Sequence, residues 1–330
     1  MRHTGRKQGG AALIMVILMV ALMTVLAVGL VDSVRYNSQR LLNQRLMDQA
    51  YWYALGGEQI AKFALKDAVE DATINLSQVW ARRDTLFPID GGSIAGYIED
   101  QQACFNVNNL YQVNTEAEPG AVITEPASLT VLRGLLLNLD LSPERADFIA
   151  DRVNDWIDED FGPEGVYGAE DLYYSDQDFP YMPPNQVMVS PSEMNLLAEF
   201  EEGEWQALSP FLCALPEVNT PININTLLPE HAALLAAAIG NTVSVEQVRA
   251  VLNARPEDGW PDVATFISEL ALPLEQQPST ELLQGLAVQS KYFRGLADIF
   301  YQQRQLKMYS RFVIKGGKAV AYAREYGEVF

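Results

Sequence analysis

Residues 11–31 read AALIMVILMVALMTVLAVGLV, an apolar run without a charged side chain. A helix of this length rises about 30 Å, which is enough to cross the hydrocarbon core of a bilayer. Three cationic residues, Arg2, Arg6 and Lys7, precede the run. Because cationic flanks stay in the cytoplasm, this order predicts a single-pass anchor with the rest of the chain exported.

The helical pattern continues past the apolar run. Apolar residues recur there mostly three, four or seven positions apart, and no proline occurs before Pro88. They are Val34, Leu41, Leu42, Leu46, Ala50, Tyr53, Ile60 and Ala64. This spacing predicts one helix that continues out of the membrane to about residue 70. An ordinary signal anchor and a cleavable secretory signal are the alternatives, although Ala27-Val28-Gly29 is a poor cleavage site.

The leader before the apolar run resembles that of the type IV pilin and pseudopilin class. It is short and polar, and Gly9-Gly10 leads directly into Ala11. The resemblance implies that a prepilin peptidase cleaves after Gly10 and that Ala11 becomes a methylated N-terminus. It therefore implies a leader of residues 1–10 and an inner-membrane segment of residues 11–31.

The fifth mature position separates this chain from most of that class. Most members have a glutamate there, and its carboxylate can offset the N-terminal ammonium of a neighbouring subunit. Met15 occupies this position and cannot do so. A subunit at the tip of a fibre has no neighbour above it, and the K-type pseudopilins of type II secretion systems share this feature. The alternative is that Met15 merely suits the lipid.

The rest of the chain predicts strands at both ends of a mostly helical region. A polar break with a proline covers residues 82–92, and strands are expected near 93–108 and 300–327. Gly316-Gly317 between two apolar runs predicts a hairpin. Helix starts are expected between the strands at Ser142, Ser190, Leu228, Ser244 and Trp260.

This arrangement resembles the K-type pseudopilins over essentially the whole chain. The resemblance implies an α+β, pilin-like fold, in which a long N-terminal helix packs on a small antiparallel sheet, with a large all-helical insertion of two small lobes. The two pilin-like parts are expected at residues 32–124 and 291–330, and the insertion at 125–290. Its lobes are expected near 125–215 and 216–290.

An acidic segment at residues 151–178 has ten carboxylates and one arginine. Glycines let this segment turn, and hard cations such as calcium take six to eight oxygen ligands. The candidate ligands are Asp155, Asp158, Asp160, Glu164, Glu170 and Asp171. The spacing is not that of an EF-hand. A solvated acidic loop is the alternative, but five aromatic residues in the segment favour packing, and the K-type resemblance also implies calcium in this domain.

The two cysteines, Cys104 and Cys213, have neither the spacing of a zinc site nor a C-x-x-C motif. In an exported domain, one disulfide between them is the simplest expectation. Two buried free thiols are the alternative.

Composition argues against a nucleic-acid ligand and against catalysis. The net charge is −20 and the pI is about 4.4, whereas a phosphate-binding surface is basic. Residues 221–226 and the turn at Ile239-Gly240-Asn241 resemble a helix-hairpin-helix module, but residues 217–280 have eight acids and two arginines. The only histidines are His3 and His231, and His231 is expected to be exposed and without function. The sequence has no G-x-S-x-G or H-E-x-x-H motif and no phosphate-binding glycine loop, so the chain is predicted not to be an enzyme. A hydrolase that uses only carboxylates of the acidic segment is the alternative.

The resemblance implies a function in protein export. It implies a minor pseudopilin that caps the tip of the type II secretion pseudopilus and nucleates its assembly, so that folded proteins are exported. The implied partners are the minor pseudopilins I and J, with H and the major pseudopilin as further candidates. The bulk of the chain would lie in the periplasm. A minor pilin of a type IV pilus is the alternative, and it would lack the helical insertion.

Overall fold

The computed structural model describes residues 10–83, 85–111, 126–197, 199–270, 272 and 277–327, without the side chains at positions 67 and 69. Residues 1–9 of the predicted leader and the predicted boundary near residue 125 lie outside the described residues.

The described helices are α1 (Ala11–Glu70), α2 (Ala127–Asn138), α3 (Pro143–Ile157), α4 (Asp171–Ser175), α5 (Met194–Leu197), α6 (Glu204–Leu208), α7 (Ala232–Ala238), α8 (Val245–Asn253), α9 (Val263–Glu269) and α10 (Thr280–Gln284). Short 3-10 helices lie at Val79–Ala81, Val107–Leu110, Pro191–Glu193, Ser209–Phe211 and Pro229–His231. The described strands are β1 (Thr85–Ile89), β2 (Gly92–Asp100), β3 (Phe105–Asn106), β4 (Leu212–Cys213), β5 (Ile222–Asn223), β6 (Leu286–Ala287), β7 (Tyr292–Tyr301), β8 (Arg304–Lys315) and β9 (Lys318–Tyr326).

Helix α1 confirms the prediction of one helix to about residue 70. It begins after Gly10 and ends at Glu70, and Asp71 is already extended. Residues 11–31 are exposed along their whole length. Among the described residues, α1 is the one helix that is long and apolar enough to cross a membrane. The exposed apolar surface therefore needs lipid or other helices to cover it.

The second part of α1 packs on a five-stranded antiparallel sheet of order β1-β2-β7-β8-β9. Ala54 packs with Ile94 and Ile299, while Leu65, further along the helix, packs with Phe293 and other core residues. The sheet therefore lies along α1, with the end of β2 and the start of β7 beside the last turns of the helix.

Two predictions concern the edge strands of this sheet, β9 and β1. The hairpin is confirmed, since Lys315 pairs with Lys318 and Gly316 and Gly317 have φ of +57° and +72°, which glycine tolerates best. The break predicted at residues 82–92 is wrong in part, because it contains β1. Strand β1 lies at a sheet edge, where Pro88 and its missing N–H are tolerated.

The strand predicted at residues 93–108 is confirmed as far as Asp100, where β2 ends, and is mostly wrong beyond it. Of residues 101–108, only Phe105–Asn106 form a strand, and they pair in parallel with Leu212–Cys213. The Asn106 side chain then accepts hydrogen bonds from the backbone N–H groups of Asn108 and Leu215, which turns the chain into a 3-10 helix. Local side-chain hydrogen bonds of this kind compete with strand pairing.

The helical insertion has one continuous hydrophobic core that extends from Phe105 to Leu286. Helix α2 of the first lobe approaches α7 of the second lobe so closely that a Cβ at Gly134 would lie 3.2 Å from the Cβ of Ala237. The two predicted lobes therefore share a core. Ser142 and Ser244 cap α3 and α8 as predicted from the sequence.

A disulfide and a buried carboxylate stabilise the junction between the insertion and the sheet. Cys104 and Cys213 are joined by a disulfide across a sequence separation of 109 residues. Asp100, the last residue of β2, is buried and accepts hydrogen bonds from the hydroxyls of Thr226 and Ser290, both at 2.6 Å. Because these residues come from different parts of the chain, the insertion has a fixed attachment to the pilin-like part.

An ion pair between a buried carboxylate and a partly exposed arginine joins α1 to β9, the last strand of the sheet. The Glu58 carboxylate is buried, and it accepts hydrogen bonds from Arg324 of β9 at 2.5 and 3.0 Å and from the Ser310 hydroxyl at 3.0 Å. Burial opposes ionisation of Glu58, but the hydrogen bonds from Arg324, Lys62 and Ser310 outweigh it and lower its pKa to about 2.

We expect Glu58→Gln to lower the free energy of unfolding at pH 7 by about 2 kcal/mol, because the buried carboxylate loses the charge that strengthens its hydrogen bonds from Arg324, Lys62 and Ser310. The folded pKa of Glu58 lies below its ordinary value of 4.5, so its stabilisation is complete above about pH 4.5 and is lost as the pH falls towards 2. Urea unfolding at pH 7 and at pH 3 measures both effects. Glu70→Gln at the exposed end of α1 is the control. Equal midpoints for the two variants at pH 7 would contradict this role.

Candidate metal site

The acidic segment brings three carboxylates together between α3 and α4. Oxygens of Asp158, Asp160 and Glu170 lie within 4.8 Å of one another. Asp158 directly follows the last turn of α3, and Glu170 directly precedes the first turn of α4. The chain between them folds back, so that residues twelve positions apart face the same point.

Two further carboxylates hold the folded-back chain in place. Both oxygens of Asp155 accept the backbone N–H of Glu164, at 3.1 and 3.3 Å. Asp151 accepts the backbone N–H of Val166 at 3.0 Å. Gly165 has a φ of +71°, and a Cβ there would lie 2.2 Å from a carboxylate oxygen of Asp151. Glycine is therefore required at this position for the loop to approach α3.

Two of the three clustered carboxylates are poorly compensated by the described residues, whereas Asp160 accepts the backbone N–H of Gly162 at 2.9 Å. Glu170 and Asp158 are only 5% and 6% exposed, yet both oxygens of Glu170 and Oδ1 of Asp158 have no hydrogen-bond partner among the described residues. Burial and neighbouring carboxylates raise the pKa of Asp158 to about 7 and that of Glu170 to about 8. Buried unpaired carboxylates cost several kcal/mol, so the site favours either protons or a bound cation.

The structure thus separates the six predicted ligands into two groups. Asp158, Asp160 and Glu170 form the cluster. The other three predicted ligands are not part of this cluster of described residues, and their side chains have different surroundings. Asp155 holds the loop, Glu164 accepts the Asn154 amide at 3.0 Å, and Asp171 is the first residue of α4.

Two asparagines beside the cluster were missed by sequence reasoning. The Asn154 amide donates to Asp158, and the Asn185 amide donates to the backbone carbonyl of Asp160 at 2.9 Å. The Oδ1 atoms of both asparagines are buried without a partner among the described residues. The sequence had one signal for Asn185, which is that it follows two prolines and so favours a turn. In the structure Asn185 has a φ of +46°, which asparagine tolerates better than most residues.

The helix-hairpin-helix resemblance has a structural explanation. Asn223 and Asn225 are buried, and the Asn225 amide donates to the backbone carbonyl of Trp260 at 2.9 Å. The backbone N–H groups of Gly240 and Asn241 both donate to carbonyls at the end of α7. These hairpin amides are therefore used within the fold.

His231 was predicted to be an exposed imidazole, and this was wrong. The ring is half-buried against Phe211, and Nδ1 accepts the backbone N–H of Leu228 at 3.2 Å. Burial lowers the pKa of His231. The imidazole caps the 3-10 helix Pro229–His231 by accepting the N–H of its N-cap residue, Leu228. This structural role accounts for a histidine at this position.

The predicted processing and assembly residues lie at the exposed start of α1. Gly10 immediately precedes the helix, and a Cβ added there would meet nothing within 4 Å. Ala11 is the first helical residue, and Met15 is exposed one turn later. The fold itself therefore imposes no requirement for glycine at position 10.

Comparisons with known proteins identify the family. Two family models described as type II secretion system (T2SS), protein K, match residues 103–217 and 222–289. Type II secretion system protein K of Klebsiella pneumoniae is 36% identical over 307 residues, which are 91% of this chain and 92% of that protein. The protein K of Aeromonas hydrophila is 34% identical over 293 residues, which are 88% of each chain.

A solved structure agrees with these matches. A chain of the GspK-GspI-GspJ complex from the enterotoxigenic Escherichia coli Type 2 Secretion System is 32% identical to this chain, with a TM-score of 0.77. The match covers 88% of this chain and 100% of that chain. The long helix, the antiparallel sheet and the helical insertion are thus shared with a relative, and this chain belongs to the type II secretion system protein K family.

Proposed function

We propose that this chain is the minor pseudopilin that caps the tip of the type II secretion pseudopilus and nucleates its assembly. It acts as a structural subunit and not as an enzyme. The observation that carries the proposal is the place where the insertion leaves the sheet. It leaves after Asp100 and returns before Tyr292, beside the last turns of α1 and thus at the end furthest from residues 11–31.

This placement gives the two ends of the molecule different tasks. Residues 11–31 expose an apolar helical surface that suits the inner membrane and then the helices of neighbouring subunits. The insertion covers the opposite end of the pilin-like part, where a further subunit would have to stack. Met15 supports the same assignment, because a tip subunit has no ammonium above it to neutralise.

The partners follow from the relative whose structure is a complex. That relative is assembled with GspI and GspJ. We infer that this chain assembles with the minor pseudopilins I and J of its own system, with H and the major pseudopilin below them. Prepilin peptidase would process its N-terminus at the inner membrane, and the bulk of the chain would lie in the periplasm.

Co-purification tests this assembly. A tag on this chain should recover pseudopilins I and J together from detergent-solubilised membranes, in equal amounts. A tagged, unrelated single-pass membrane protein is the control for detergent carry-over. Recovery of neither partner would contradict the proposed tip complex, whereas recovery of the major pseudopilin alone would place the chain elsewhere in the fibre.

We also propose that the carboxylate cluster holds calcium. The oxygens of Glu170 and Asp158 that lack partners are the observation that supports this, since calcium binds carboxylate oxygens and neutralises them. Asp158, Asp160 and Glu170 would hold the ion, while Asp151 and Asp155 hold the loop that carries the site. The ion would have a structural role, because it fixes the chain between α3 and α4.

The alternatives are not favoured by any described feature. A minor pilin of a type IV pilus would not carry the insertion that matches protein K along residues 103–217 and 222–289. A helix-hairpin-helix nucleic-acid-binding protein would need free hairpin amides, and those of Gly240 and Asn241 bond within the fold.

A further inference from the structure

The part of α1 that follows the apolar run is cationic, although the chain as a whole is strongly acidic. Residues 32–47 contain three arginines and one aspartate, a net charge of +2, whereas the whole chain has −20. The arginines are Arg35, Arg40 and Arg45, and all three are exposed. Arginines this close to a span on its exported side weaken the charge signal that orients the span. Their position therefore points to a binding role.

One face of this part of α1 forms an open recess of about 430 Å³. Tyr36, Arg40 and Asn43 line it, and their spacing of four and three residues places them on the same face of the helix. The described lining residues include one acid, Asp48, which lies about two turns further from the apolar run than Arg40 does. The end of the recess nearer to the apolar run is therefore cationic.

A second arginine reaches this face from the sheet. Arg304, the first residue of β8, donates a hydrogen bond to the side-chain oxygen of Asn43 at 2.6 Å. Because Asn43 lies one turn from Arg40, the two guanidinium groups lie on the same side of α1. Among the described residues, neither arginine forms an ion pair with a carboxylate. The recess thus has two cations that the rest of the fold does not neutralise.

The recess lies close to the headgroup layer of a membrane that residues 11–31 span. At 1.5 Å per residue, Arg35 and Arg40 lie about 6 and 14 Å beyond Val31, and headgroups extend about 5–8 Å beyond the hydrocarbon core. Side chains on a helix lean toward its N-terminus, which brings the Arg40 guanidinium back toward this layer. Tyr36 lies between the two arginines and is 68% exposed, and tyrosine is enriched at membrane interfaces.

We propose that Arg40 and Arg304 bind the phosphate of an anionic phospholipid in the periplasmic leaflet of the inner membrane. Guanidinium groups pair with phosphate oxygens through strong, charge-assisted hydrogen bonds, and cations beside a membrane attract anionic lipids. A lipid is favoured over a free anion, because the membrane holds its phosphates at this height. The inference rests on the proposed function in one respect, since it takes residues 11–31 to lie in the inner membrane. The bound lipid holds the near end of the sheet at the membrane before the chain enters the fibre.

Native mass spectrometry of the full chain tests the proposal. The chain is purified in detergent and incubated with equal amounts of phosphatidylglycerol and phosphatidylcholine, and the lipids that stay bound are counted. We expect the wild type to retain about 10-fold more phosphatidylglycerol than phosphatidylcholine, and Arg40→Gln/Arg304→Gln to lose this preference. The control Lys315→Gln/Lys318→Gln removes two exposed cations at the opposite end of the sheet and should keep it.

Three results would overturn the proposal. The first is equal retention of the two lipids by the wild type, or an unchanged preference in the arginine variant. The second is loss of the preference in the lysine control as well, which would show a general effect of net charge. The third is displacement of phosphatidylglycerol by inorganic phosphate but not by chloride at the same ionic strength, which would indicate a site for a free anion.

Membrane fractionation and recovery of pseudopilins I and J separate this proposal from the function above. If the wild type is anchored and recovers both partners but retains the two lipids equally, only the lipid site is wrong. If the arginine variant keeps the lipid preference but loses both partners, the recess is a contact with those subunits and the lipid proposal is wrong. If the wild type is found outside the membrane fraction, the proposed function fails first.

Discussion

Chelation of calcium is expected to lower the melting temperature of this protein by about 10 °C. The physical reason is that both oxygens of Glu170 and Oδ1 of Asp158 are buried without a hydrogen-bond partner in the described part of the chain, so a bound cation would compensate their charge. A ligand at a thousand-fold excess over its Kd stabilises the folded state by about 4 kcal/mol. In a domain of this size each kcal/mol shifts the melting temperature by about 2–4 °C. Thermal unfolding with EGTA, and again after calcium is restored, measures the shift.

A pair of variants ties this effect to the cluster. Glu170→Gln removes one buried charge with little change of shape, so the response to calcium should be largely lost. Glu202→Gln changes an exposed acid of the same insertion and should respond as the wild type does. If excess calcium leaves the melting temperature of the stripped wild-type protein unchanged, the carboxylate cluster is not a calcium site.

Replacement of Gly10 by tryptophan is expected to abolish both leader cleavage and secretion. The structure makes this substitution informative, because a Cβ at Gly10 meets nothing within 4 Å and the fold should tolerate the change. Loss of cleavage would then report on recognition by the peptidase. Mass spectrometry of the chain from membranes should find residues 1–10 retained in the variant and removed in the wild type.

The matched control for this experiment is Gly10→Ala, which keeps a small residue at the cleavage site. It should be cleaved and should support secretion. If the tryptophan variant has the same mature mass as the wild type, cleavage does not depend on Gly10. That result would contradict processing by a prepilin peptidase at this site.

The elements predicted best were those with local signals. Helix α1 followed from its apolar spacing and the absence of proline, and the last hairpin followed from Gly316-Gly317. Strand β1 was missed because its proline is a breaker everywhere except at a sheet edge, and edge position is a property of the folded sheet. The parallel pair of β3 and β4 joins residues more than one hundred positions apart, for which the sequence has no local signal.

The candidate metal site was predictable as a region and not as a set of ligands. The density of acids drew attention to residues 151–178, and Asp158, Asp160 and Glu170 do meet there. Asp155 has the same chemistry, but its position one turn earlier on α3 directs it to the loop backbone. Which carboxylates face one another in the cluster and which face an N–H group depends on how the loop folds back, and composition does not contain that information.

The position of this chain within the fibre tests the central claim most directly. A tag on the helical insertion, imaged by electron microscopy on isolated pseudopili, should label each fibre once and at one end only. Labels distributed along the shaft, or at both ends, would contradict the proposal that this chain caps the tip.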